Sequence, residues 1–271
     1  LRTAPQPLGY RAKLTLHVGQ DGTTIGFHPL GRPDRIFALQ SCLLASSGVA
    51  ALWAALRPHR RLLPSALGTL ILREDQDGGR HLVAVCTDGR VWEQARALAA
   101  ALQHAGVPTV VWWQPPEGAA RVLAGGAGET YPATVFEQVH PVMGRAARRH
   151  ALAELGDVHG LHAWDLYAGI GDTTAALLDA GASVESVELD GRAVAFAERQ
   201  RPADGTRTVR HVGRVEQRLP ALRPASVGIV NPPRGGLDPA AVTSLVKQGP
   251  ARLVYVSCDP ATLARDLRGL E

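Results

Sequence analysis

The chain has 271 residues, 45% of them hydrophobic and 20% charged, with a formal net charge of +4. That composition excludes a disordered tail and a fibrous repeat, and it supplies enough apolar surface for two domains of ordinary size. No run approaches the roughly 18 apolar residues of a membrane span, no signal peptide opens the chain, and Cys42, Cys86 and Cys258 are too few and too scattered for a disulfide scaffold or a metal cluster, so a reducing cytoplasm and no metal site are expected.

In chain order, residues 11–18 alternate and meet the turn signal Gly19-Gln20-Asp21-Gly22 before residues 24–28, which predicts a hairpin. Residues 43–56 carry helical spacing and stop at Arg57-Pro58. Short strands are predicted over 67–72 and 82–86, with Cys86 as strand core. A helix follows over 91–104, closed by Gly106 and Pro108, then a strand over 109–113. The Gly- and Pro-rich stretch 114–132 reads as a linker, dividing the chain into a smaller mixed α/β domain over residues 1–125 and a second domain over 126–271.

From residue 141 strands and helices alternate: a helix over 142–155, a strand over 161–167, a Gly-rich turn and a helix through Leu178. Strands over 183–188, 208–212, 227–230 and 252–257 follow, with helices over 192–199, 239–246 and from Ala261. Apolar strands alternating with helices mean a parallel sheet covered on both faces, a Rossmann-like domain.

Three motifs fall at strand ends of that domain. In Asp165-Leu166-Tyr167-Ala168-Gly169-Ile170-Gly171-Asp172, the two glycines let backbone approach a ligand. A nicotinamide fingerprint wants a third glycine where Thr174 stands, whereas an acidic residue before G-x-G is typical of S-adenosylmethionine sites. Glu188 ends the next strand, where a carboxylate can accept both ribose hydroxyls. Asn231-Pro232-Pro233-Arg234 leaves the sheet with its backbone fixed by two prolines, aiming the asparagine amide into the crevice above the strands. Cys258 ends the last strand beside a helix that starts at Pro260, where the helix dipole favours a thiolate nucleophile.

Together with Gly9-Tyr10-Arg11-Ala12-Lys13, Phe136-Glu137-Gln138-Val139-His140-Pro141 and the run Tyr255-Val256-Ser257-Cys258-Asp259-Pro260-Ala261-Thr262-Leu263-Ala264-Arg265-Asp266, these motifs make the chain resemble the RNA 5-methyluridine methyltransferases over nearly its whole length. The resemblance implies a Rossmann-like class I methyltransferase domain, S-adenosylmethionine as cofactor, and methylation of uridine C5 in tRNA or rRNA. It implies cofactor contacts from Gln138, Tyr167, Gly169, Gly171, Asp172, Glu188 and Asn231, and a nucleophile at Cys258. It further implies a cytoplasmic monomer with an RNA partner and no membrane, the first domain being a candidate RNA-contacting region. The family has Asp where Asn231 stands, Phe where Glu137 stands and Asn where His140 stands. Its proton-removing glutamate would lie beyond Glu271, and both ends of the chain are expected to be trimmed. An upstream RNA-binding barrel or iron–sulfur cluster, of which Cys42 would be an orphan ligand, is not expected within these residues.

The basic residues are arginines apart from Lys13 and Lys247. Arginine suits phosphate through its fork, and Arg145, Arg148 and Arg149 on one helix either hold phosphates or form a solvated face. The competing reading is a non-catalytic RNA-binding relative with a drifted cofactor site, favoured by Asn231 and His140. Amino methylation fits less well, because Arg234 stands where an aromatic residue would stack on the target base, and a nicotinamide oxidoreductase fits least because of Thr174.

Overall fold

The computed structural model describes residues 3–126, 131–202 and 205–271. Two compact units emerge, Leu1–Thr134 with Gln138–Gly144, and Val135–Glu137 with Arg145–Glu271.

The first unit is a seven-stranded sheet of order β3-β2-β1-β4-β5-β6-β7. Its strands are β1 (Lys13–Val18), β2 (Ile25–Phe27), β3 (Phe37–Ala38), β4 (Leu67–Glu74), β5 (Arg80–Cys86), β6 (Val110–Gln114) and β7 (Arg121–Ala124). The predicted hairpin pairs β1 with β2 antiparallel, and β5 runs parallel to β6 through the helix α2 (Ala95–His104). Leu14, Leu16, Leu70 and Leu72 of the sheet pack with Val49, Leu52, Trp53 and Leu56 of α1 (Ser47–Leu56) and Leu98 and Leu102 of α2. Cys86 is buried in that core.

Three sequence-based expectations need correction here. Helix α1 starts at Ser47 rather than 43, because Leu44 and Ser46 hydrogen-bond to the backbone of Arg11 and Ser46 caps the helix by accepting from the Val49 N–H. Helix α2 starts at Ala95 rather than 91; the indole of Trp92 is buried and donates to the Leu62 carbonyl, which holds the chain before it. The stretch read as a linker contains β7, paired antiparallel with β6, and the guanidinium of Arg121 lies 6.0 Å from the Trp113 ring centroid. Residues 127–130 of that stretch lie outside the described residues.

Helix α3 (Pro141–Leu155) begins in the first unit and continues into the second. The second unit is a five-stranded parallel sheet of order β10-β9-β8-β11-β12. Its strands are β8 (His162–Leu166), β9 (Ser183–Glu188), β10 (Thr208–Val212), β11 (Val227–Val230) and β12 (Arg252–Tyr255). Between them run α4 (Asp172–Asp179), α5 (Gly191–Gln200), a short α6 (Val215–Arg218), α7 (Pro239–Gln248) and α8 (Pro260–Leu270). Neighbouring strand residues point to opposite faces. Ala163 packs with Ala151, Leu155, Leu177 and Leu178 on one side, and Trp164 packs with Val215, Leu219, Ala241 and Leu245 on the other. The first strand, β8, sits in the middle, so the chain reverses direction across the sheet between β10 and β11. Ligands of such folds bind at that reversal, above the C-terminal strand ends. No helix among the described residues is long and apolar enough to cross a membrane.

Candidate active site

The C-terminal edge of the second sheet is knitted by backbone hydrogen bonds: Ala168 N–H to Val187 O (3.0 Å), Asn231 N–H to Leu166 O (3.2 Å) and Val256 N–H to Val230 O (2.8 Å). Tyr167, Gly169, Gly171, Asp172, Glu188, Asn231 and Cys258 all belong to the unit that carries this edge. Gln138 belongs to the first unit, exposed, in a segment ahead of α3.

After β8 the chain takes positive φ at every second residue, Tyr167 (63°), Gly169 (58°) and Gly171 (85°). Tyr167 is the single non-glycine with positive φ among the described residues, a conformation that costs roughly 1–3 kcal/mol and marks functional turns. A Cβ built on Gly169 would meet only the Phe136 carbonyl, at 3.9 Å, so the loop offers bare backbone for close approach. One on Gly171 would lie 2.9 Å from the Cβ of Ala197 on α5. That glycine is therefore needed both for its φ and for helix packing.

Gly171 is also the N-cap of α4 and has no side chain with which to cap. Asp165 of β8 supplies the acceptor instead: it is 1% exposed and takes hydrogen bonds from the Thr174 hydroxyl (2.6 Å) and backbone N–H. Burial pushes its pKa up to about 6 against those two hydrogen bonds and the charge of Arg148. Thr174, which the sequence offered only as a missing glycine, thus satisfies the buried carboxylate. Glu188 is half-buried and bridges two loops, accepting from Gly169 N–H (2.8 Å) and Asp190 N–H (2.9 Å) on different oxygens. Asp190 in turn caps α5 through the Arg192 N–H. Asp172 pairs with Arg148 of α3 at 2.5 Å, which turns Arg148 inward while Arg145 and Arg149 stay exposed. The reading of all three arginines as one phosphate-holding or solvated face is thereby corrected for Arg148.

The hydroxyl of Tyr167 has its pKa raised to about 12, first by burial and then by the negative charges of Glu216, Asp238 and Asp266. Asn231 is partly exposed beyond β11, and its carboxamide makes no hydrogen bond to the described residues. Pro232 and Pro233 follow, and the loop closes at Gly236, whose N–H donates to the Pro233 carbonyl.

Cys258 is exposed after β12. The expected activation by the helix end is corrected in one respect. The Asp259 carboxylate caps α8 by accepting from Ala261 N–H (2.9 Å) and Thr262 N–H (3.0 Å), so those donors face Asp259 and not the thiol. The Thr262 and Ala261 N–H groups hold the Asp259 pKa below its ordinary value against the effect of desolvation. Ser257 and Asp259 close a tight turn around the cysteine, the Ser257 hydroxyl donating to Asp259 O (2.9 Å) and accepting from Asp259 N–H (3.1 Å).

Residues 207–271 match the family model described as tRNA (Uracil-5-)-methyltransferase. An uncharacterized RNA methyltransferase of Gloeobacter violaceus is 30% identical over 98% of this chain and 65% of its own length. The 23S rRNA (uracil(1939)-C(5))-methyltransferase RlmD of Azoarcus sp. is 30% identical over 95% of this chain and 64% of its own. This chain thus spans just under two thirds of those relatives. The Pyrococcus abyssi tRNA (uracil-54, C5)-methyltransferase, solved in complex with S-adenosyl-L-homocysteine, matches with a TM-score of 0.73 at 20% identity, over 98% of this chain and 71% of that one. That likeness shows the fold alone, a Rossmann-like parallel α/β unit and a mixed α/β unit.

Proposed function

We propose that this chain, a relative of the RNA uracil-C5 methyltransferases, transfers a methyl group from S-adenosylmethionine to C5 of a uridine in a cytoplasmic tRNA or rRNA, through a covalent bond between Cys258 and uracil C6. The observation that carries the reading is the exposed Cys258 on the same strand edge as the glycine loop and Glu188.

The loop suits S-adenosylmethionine. A carboxylate has about four lone-pair sites, and Glu188 uses two of them on Gly169 and Asp190, leaving acceptors for ribose hydroxyls. Gly169 and Gly171 admit the ligand to the backbone, and Tyr167, Asp172 and Asn231 are its remaining proposed contacts within this unit. When bound, S-adenosylmethionine supplies an electrophilic methyl group on a sulfonium.

Uracil C5 is a weak nucleophile. The Cys258 thiolate forms a bond to C6 and pushes the C5=C6 electron pair towards C5 and O4, so that C5 can bond to the methyl carbon as that carbon's bond to the sulfonium sulfur breaks, its electron pair staying on sulfur. The C5 proton then leaves to a base, its electron pair re-forms C5=C6, and the thiolate departs. The target base must leave its stack to meet a cysteine at a strand edge, which favours RNA loops over continuous helix. A second reading, an RNA-binding relative without turnover, is favoured by Asn231, which lacks the charge of the family's aspartate.

Calorimetry with S-adenosylhomocysteine tests the cofactor half. Glu188→Ala removes acceptors that each contribute roughly 1.5–3 kcal/mol as charged hydrogen bonds, so affinity should fall at least tenfold. Equal affinity in the two proteins removes Glu188 from the site, and tight NADH binding in place of S-adenosylhomocysteine refutes the cofactor.

A further inference from the structure

The chemistry above uses one residue of the run 255–266, yet the run continues into α8 and ends on Arg265-Asp266. Asp266 is 3% exposed, and a carboxylate is rarely that deep unless it is fully partnered. Its Oδ2 accepts from both the Tyr255 hydroxyl (2.7 Å) and the Leu237 N–H (2.7 Å). Its Oδ1 accepts from Arg265 Nε (2.9 Å) and Nη2 (2.6 Å). Arg265 donates onward to the carbonyls of Gly235 (2.8 Å) and Leu237 (3.3 Å). Between those two residues Gly236 sits at φ 76°, and a Cβ there would collide with Arg265 and Asp266, so the helix grips the loop at a point only glycine allows.

The two ends of this bridge matter. Tyr255 closes β12 three residues before Cys258, and Leu237 directly follows the loop that opens with Asn231 and closes at Gly236. One carboxylate oxygen therefore holds the strand that delivers the nucleophile and the loop that delivers the carboxamide. Stability alone does not call for this arrangement, since well-packed apolar side chains of similar volume are often as stabilising as a buried ionic cluster.

We infer that Asp266, backed by Arg265, is a positioning residue that fixes the Asn231 loop against the Cys258 strand for methyl transfer. The inference rests on the proposed uracil-C5 chemistry. It requires the misaligned enzyme to bind its ligands and fail at the reaction.

The test is steady-state methylation of RNA by the natural full-length protein carrying Asp266→Asn or Tyr255→Phe, beside calorimetry with S-adenosylhomocysteine and urea denaturation. A misplacement of the order of an ångström costs about 100-fold in rate. Asp266→Asn is expected to lose kcat on that scale, and Tyr255→Phe part of it. KM for RNA and S-adenosylhomocysteine affinity should stay within a few-fold, and Arg268→Gln on the exposed side of α8 should match wild type. Should Asp266→Asn fail to fold, Tyr255→Phe decides. A kcat per folded molecule that is unchanged overturns the inference, and so does a parallel collapse of kcat, KM and ligand affinity. Wild-type protein that methylates no RNA refutes the uracil-C5 reading and this inference together, whereas an active wild type with unaffected variants refutes the inference alone.

Discussion

Asp165 shows how a buried carboxyl group can organise a glycine-rich loop. It lies within the sheet, satisfied by Thr174, and burial lifts its pKa from 3.8 to about 6. The native state therefore holds a proton that the unfolded chain releases between about pH 3.8 and 6, and the contribution of this group to stability is lost as pH rises through that window. At about 1.4 kcal/mol per pKa unit the loss is roughly 3 kcal/mol. Asp165→Asn has no such proton to lose. Urea denaturation should find the variant gaining on wild type by an amount of that order between pH 4 and pH 7, and a constant difference across the range contradicts the assignment. The sequence made the acidic residue at this strand end legible as a cofactor-site mark. It did not reveal the job of Thr174, because a hydroxyl nine residues away becomes a partner only when the turn doubles back. Glu188 was legible as the second strand-end carboxylate, while its two backbone partners depend on the loop conformation.

Among the elements, the second unit was the more legible. Strands Ser183–Glu188, Thr208–Val212 and Val227–Val230 fall where expected, since each is a short segment carrying at least two valines. In the first unit β7 escaped notice, being four residues flanked by Pro and Gly, and β3 is only two residues long. Short α6 has too few residues for any periodicity. The Cys258 turn was recognised from residue types alone, but its capping by Asp259 redirects the helix-end donors, and the sequence contained no signal of how Asp266 joins two elements. The glycine turn carries an element-scale expectation. Gly171→Ala puts a Cβ into the space of Ala197 at a φ of 85°, so the variant should lose roughly 1–3 kcal/mol in denaturant titration. No measurable loss contradicts the left-handed turn and the close approach of α5.

For the molecule as a whole, strand order decides which segments meet. Placing β8 between β9 and β11, with β12 beside β11, sends the three sequence motifs and Glu188 to one edge of a single sheet: the glycine loop, Glu188, the Asn231 loop and Cys258. Either half of that edge has a lesser meaning alone, a nucleotide-type site or an exposed thiol. Their combination is what supports methyl transfer over simple RNA binding, and the bond from Cys258 to uracil C6 is the claim on which it stands. The most direct measurement incubates the natural full-length protein with S-adenosylmethionine and a tRNA and rRNA pool containing 5-fluorouridine, whose C5 fluorine cannot leave as a proton, and separates the products on a denaturing gel. A protein–RNA species should form with wild type, Cys42→Ser and Cys86→Ser and be absent with Cys258→Ser. Protein that binds both RNA and S-adenosylmethionine yet forms no Cys258-dependent species contradicts the account and leaves the non-catalytic relative in its place.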